Sequence, residues 1–265
     1  MRRNLPKFYL LGSLMAALAF APANTAKAQD MMRGLDMDSP DMTTPEMTRA
    51  QVEAVLAQSG GPADLSGKRL SGLDLSGLDF SRASLRAARL NHTNLSHAKL
   101  DGATLDQAWA LQADLTGASL VKASLFAAQM AGAHLDGANL KGARVTADLT
   151  NAHLVGAELE NADCGADETN QSMGLMRVTF KSADLSGANF KNANLASADL
   201  RFAKLSGANL AGAKLRDADA SGADLRGARF DGADISGLDL DSARIDAAAA
   251  PTFAKATNLN RAFRE

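Results

Sequence analysis

The chain has 265 residues, enough for one large domain or two small ones, a formal charge of −2 and a single cysteine, Cys164. This balance leaves no basic surplus to hold nucleic acid, and one thiol excludes an intrachain disulfide. Aromatic residues make up only 5%, too few for a conventional core of this size, because aromatics bury the most area per residue.

The N-terminus reads as a targeting segment. Arg2, Arg3 and Lys7 form a positive region ahead of the apolar stretch Phe8 to Phe20, which is short for a membrane span. Ala26-Lys27-Ala28 supplies a small-x-small cleavage site, so residues 1–28 are expected to leave as a signal peptide and the mature chain to begin at Gln29. The pattern fits the general secretory route, and "RRNLPK" also resembles a twin-arginine signal. Cleavage removes four basic residues (Arg2, Arg3, Lys7, Lys27) and no acidic one, taking the formal charge from −2 to −6. A periplasmic or secreted location follows, with no membrane insertion after cleavage.

Residues 29–45, rich in Met, Asp and Pro, are expected to be a disordered linker. Residues 46–60 are expected to hold a capping helix. Thr48-Arg49-Ala50-Gln51 has the form of a capping box, Val52, Val55 and Leu56 share one face, and Ser59-Gly60 gives the stop.

From Leu65 a large apolar residue recurs every five positions through Val145, with Ala110 standing in once. One residue is then missing, and the phase resumes at Leu149, Leu154, Leu159 and Cys164. It is regained inside Gly165 to Thr179, at Leu175 or Phe180, and holds to Ile245. Alanine stands two before each centre from Ala183 to Ala233, and glycine often stands two after. A period of five is neither helical nor an ordinary strand. Each unit must turn a corner, and glycine supplies the positive φ that a type II turn needs. One such unit buries almost nothing, so a core forms only by stacking units into a solenoid.

"ADLSGANF", "ANLASADL" and "ADLRGARF" resemble the A(D/N)LXX units of the pentapeptide-repeat family, over residues 61–245. The resemblance implies an all-β, right-handed quadrilateral β-helix with four units per coil. About nine coils then span roughly 43 Å at a ~4.8 Å spacing. Centre residues fill the lumen, and Cys164, at a centre, reads as a small buried hydrophobe. Residues 246–265 lose the period, with Pro251 as a breaker, and read as a C-terminal cap in which Phe253, Leu259 and Phe263 seal the last coil.

Four constellations bear on function. Aspartates one before the centre, such as Asp184, Asp199 and Asp224, fit turn chemistry better than acid catalysis. Asp114, His134 and His153 fall in one column, which either holds a metal or is simply solvated. Met32, Met37, Met42 and Met47, five apart among aspartates, offer soft thioether ligands for Cu(I) or belong to a merely Met-rich linker. Trp109, the sole tryptophan, and Leu111 flank centre Ala110, while Val121 and Phe126 each follow a centre. All four should point outward, with Arg89 one coil below Trp109 in cation–π reach. Arg89, Trp109, Leu111 and Phe126 are therefore candidate partner-binding residues, unless the chain's own termini cover them.

No catalytic constellation and no cofactor motif is legible. The sequence points to a non-enzymatic structural or interaction protein of the cell envelope, with a protein partner and homo-oligomerisation left open. Copper binding by the tail is the alternative. Members of the family that imitate DNA and inhibit gyrase suggest a third reading, which export and the mixed charges of the wall oppose.

Overall fold

The computed structural model describes residues 36–58, 61–166 and 176–265. The signal segment, Met32, the stop at Ser59-Gly60 and the alternative centre Leu175 lie outside them. Among the described residues no helix is long and apolar enough to cross a membrane.

The repeat region stacks as parallel coils. Residue n bridges residue n + 20, as in Arg69–Arg89–Trp109–Gln129, and the bridges fall into four ladders that begin at Asp64, Arg69, Asp74 and Asp79. Within one unit the backbone bonds explain the period. The Leu95 amide donates to the Asp114 carbonyl and the His97 amide to the Thr116 carbonyl, both in the next coil; Ala98 closes a turn onto Leu95, and Lys99 donates back to Leu78. Four amides in five are thus paired by backbone alone. The fifth, on the residue after the centre, needs a side-chain acceptor.

Two devices supply it. In the first, an Asp or Asn one before the centre accepts within its own unit: Asp64 from Ser66, Asn94 from Ser96, Asp114 from Thr116. In the second, a residue at the same corner one coil below accepts instead: Asp101 from Val121, Asp106 from Phe126, Asn91 from Leu111. The recurrent aspartates are turn acceptors, as their spacing indicated. Each bond contributes about 0.5–1.5 kcal/mol.

The lumen is filled by the centres and their alanines. Leu65 through Ile245, including Ala110 and Cys164, are buried. Burial pushes the Cys164 thiol far above its usual range, reinforced by the Asp163 charge, so it packs as a hydrophobe. In the regular units the second residue after the centre has positive φ whether or not it is glycine: His97 at 57°, Phe202 at 59°. At two of the bulkiest of these side chains the coil above carries glycine. A Cβ on Gly117 would lie 2.6 Å from the His97 ring, and one on Gly222 2.6 Å from the Phe202 ring.

Two irregularities break the step. The short unit after Val145 buries Thr146, whose hydroxyl finds no partner. Further on, Asp148 bridges Thr179, a step of 31 residues against the regular 20. The sequence reading is corrected here. Cys164 and Phe180 are inward residues of consecutive units, so the chain carries eleven residues more than the regular five between these centres, where the phase alone indicated the gain of one.

At the N-terminal end, α1 spans Pro40–Thr43 and α2 spans Arg49–Leu56. The capping box at α2 forms as read: Thr48 and Gln51 exchange side-chain and backbone bonds. Val52 is fully buried against the first coil, and Arg49 donates to the Asp74 and Ser76 carbonyls. The expected linker is not free over its described part. Met42 of α1 is buried, and Asp41 pairs with Arg69 at 2.7 Å.

At the other end, β1 (Arg244–Ile245) pairs in parallel with β2 (Phe263–Arg264). Phe253 is buried edge-on to Phe230, with ring centroids 4.9 Å apart. Pro251 lies inside a 3-10 helix, Ala247–Phe253, rather than at a break. Leu259 is only half-buried and Phe263 remains 58% exposed, so Phe253 seals the last coil without Phe263.

Leu195 sits in the most regular part of the lumen and is fully buried, whereas Lys191 is exposed. Leu195→Ala should cost roughly 2–5 kcal/mol and Lys191→Ala no more than about 0.5 kcal/mol in denaturant unfolding. Equal effects would overturn the inward assignment.

The turn acceptors also set an acid limit. Hydrogen bonds from Ser66, Ser76, Ser81 and Ser236 hold Asp64, Asp74, Asp79 and Asp234 below the ordinary carboxylate range. A depressed folded-state value stabilises the fold above the unfolded value, about 3.9 for Asp. That contribution is lost as pH falls through the folded-state values. Thermal melts should be level from about pH 5 to 8 and fall progressively below about pH 4. A midpoint unchanged down to the folded-state range would show that the acceptors contribute nothing.

Candidate functional site

The four candidate partner-binding residues come together around one ladder. Trp109 is bridged by Arg89 below and Gln129 above. Leu111 occupies the corner on one side of it. Phe126 occupies the corner on the other side, one coil up, where its carbonyl accepts from the Gln107 amide. All four are half-buried rather than free.

At Leu111 the reason is intramolecular cover. Asn91, one coil below Leu111, is buried; its Oδ1 accepts from the Leu111 amide at 3.0 Å and its side-chain amide donates to the Met42 carbonyl at 3.3 Å. This lays α1 over the corner, where Met37, Met42, Asn91 and Leu111 line one small cavity. Glu46 continues the ladder, its amide donating to the Arg69 carbonyl at 2.9 Å.

The cation–π contact also falls elsewhere than expected. The Arg144 guanidinium lies 4.3 Å from the Phe126 ring centroid, while no such contact joins Arg89 to Trp109. Arg144 stands over Ser124 in its ladder, so its side chain reaches the Phe126 ring across the corner.

The methionines proposed for copper are partly occupied. Met42 is buried at the wall and Met47 packs against the core, which commits two of the four thioethers to packing.

Counting by columns placed His134 directly below His153, and they bridge, with rings stacked 4.8 Å apart and 8° from parallel. The third group beside them is Asp136 rather than Asp114: ligand atoms of His134, Asp136 and His153 all lie within 4.8 Å of one another. Asp136 was missed because it follows its centre, whereas the column count covered only positions preceding one.

A shallow groove of about 970 Å³ crosses another wall, bordered by Arg144, Asp163, Lys214, Arg216 and Asp234. It lies outside the filled lumen. The best-buried charge of the wall, Asp199, is held by Arg201 through two hydrogen bonds of 2.8 and 2.5 Å and serves the Arg201 amide as a turn acceptor. Its position is structural.

The family model for pentapeptide repeats matches in eight copies over residues 63–102, 79–117, 112–142, 175–210 and 208–245, more than half of the chain. The chain belongs to the pentapeptide-repeat family. The matches stop at residue 142 and restart at 175, spanning the short unit and the insertion.

Pentapeptide-repeat proteins form right-handed β-helices, and the ladders here are of that kind. A trypsin-treated variant of QnrB1, a plasmid-mediated fluoroquinolone resistance protein, is 19% identical with a TM-score of 0.54, over 63% of this chain and 79% of its own. HetL, a pentapeptide-repeat protein involved in heterocyst differentiation regulation in the cyanobacterium Nostoc, is 28% identical with a TM-score of 0.43, over 75% and 97%. The first likeness concerns the fold alone. No curated protein sequence matches the chain. Pentapeptide-repeat proteins are generally structural or interaction proteins without catalysis.

The cover by α1 is testable. Met42→Asp should free the segment 36–45 while the coils persist. Its amides should exchange with solvent at least about tenfold faster, with global stability changed by no more than about 1 kcal/mol. Unchanged exchange would show that Met42 does not hold the segment.

Proposed function

We propose that this protein is a non-enzymatic interaction solenoid of the cell envelope. In this reading the four ladders are the sides of a quadrilateral β-helix, α2 is its N-terminal cap, and the wall around Trp109 is the docking surface for a protein partner. The observation that carries the proposal is Trp109 itself. It is a half-buried tryptophan on an outward ladder between Arg89 and Gln129, with Phe126 and Leu111 at the flanking corners. Tryptophan beside arginine is the composition in which binding energy concentrates. Membership of a family whose members act through protein contacts supports the same reading. The envelope location rests on the signal-like residues 1–28, with cleavage after Ala28.

The α1 segment narrows this surface. Leu111 forms its covered rim, and Trp109, Arg89 and Phe126 remain for a partner. Trp109→Ala should leave the melting temperature unchanged and weaken retention of an envelope partner on the immobilised mature protein by more than ~1 kcal/mol. A lowered melting temperature with unchanged retention would assign Trp109 to internal packing and sink the docking role.

A further inference from the structure

The group formed by His134, Asp136 and His153 has no part in the docking proposal, and its chemistry is specific. Two imidazoles and a carboxylate are the donor set that holds zinc and related divalent ions with open positions for water. We propose that these three residues form a surface site for a divalent transition-metal ion, with Zn²⁺ as the fitting probe.

The stacking rule places the donors. His134 and His153 occupy the same rung of successive coils, both exposed, one on each side of the shortened unit. Asp136 follows centre Leu135, at the corner beside His134. Its Oδ1 accepts from the Val155 amide at 2.7 Å. That bond fixes the carboxylate against the coil of His153 and leaves the second oxygen for a metal, as outer hydrogen bonds commonly orient ligands. The ladder continues below His134 into Asp114, whose charge favours a cation, and above His153 into Asp184, which is paired with Lys204 at 3.2 Å.

The ring geometry sets one requirement. Parallel rings 4.8 Å apart cannot both aim a nitrogen at one ion. Bonds of 2.0–2.1 Å in a tetrahedral site need donor atoms ~3.3 Å apart. Closing from 4.8 Å requires the rings to tilt toward each other, and exposed side chains change rotamer readily. The backbone need not move, because the ladder already fixes both Cα atoms on one face.

Zinc titration of the full chain by calorimetry should give one saturable site. His134→Ala and His153→Ala should each weaken it by about tenfold or more, since loss of an outer-shell partner alone commonly costs 10–100-fold. Asp136→Asn, which keeps the shape and removes the charge, should weaken it as well. All three positions lie on the surface, so each variant should keep the parent's circular dichroism. Imidazole resonances identify the ligands independently: of the four histidines, His134 and His153 should shift on adding zinc, while His92 and His97 stay in place. Zinc binding that survives His134→Ala/His153→Ala, shifts confined to His92 and His97, or no saturable binding would each overturn the site.

Discussion

The structure depends on stacking each coil on the next at a step of 20 residues, because that step pairs four of every five backbone amides. With the backbone satisfied by repetition, the lumen needs only shape. One leucine-sized side chain and one alanine per unit fill it, with hardly an aromatic residue. No unit is stable alone, since three of its four backbone-paired amides bond to other coils. The ends therefore need chain of another kind: Val52 and Arg49 of α2 close one end, and Phe253 closes the other.

The fifth amide decides the polar surface. Each must find a carboxylate or side-chain amide, and the choice between an acceptor in its own unit and one in the coil below explains why Asp and Asn crowd the sequence. These carboxylates look like a catalytic inventory by number, yet most are occupied by a neighbouring N–H. Asn91 shows how the same need creates an attachment point. Having met the Leu111 amide with its oxygen, it turns its nitrogen to Met42 and fastens a segment from outside the repeat.

The ladders also turn sequence distance into surface proximity. Residues about 20 apart lie side by side at strand spacing, so a wall can assemble chemistry from units that share nothing locally. Arg89 beside Trp109 and His134 beside His153 both arise in this way. Side chains elsewhere on the wall are free to vary because the fold asks little of them, which suits a rigid display surface.

The sequence by itself determined the period, the inward residues from Leu65 to Ile245, the capping box at Thr48 and the turn role of the aspartates. All of these follow from a repeat whose every unit solves the same local problem, so the pattern is written many times over. The tertiary structure decided what occurs once. Eleven residues more than the regular step separate Cys164 from Phe180, and because eleven is two periods plus one, a count of fives registers only the one. The α1 segment folds back over Leu111, because Met42 gains more from burial at the wall than from solvent. Arg144, rather than Arg89, meets an aromatic ring, and Asp136, rather than Asp114, joins the histidines. In each case the deciding contact is a side chain reaching across a corner, and periodicity fixes only where the backbone goes.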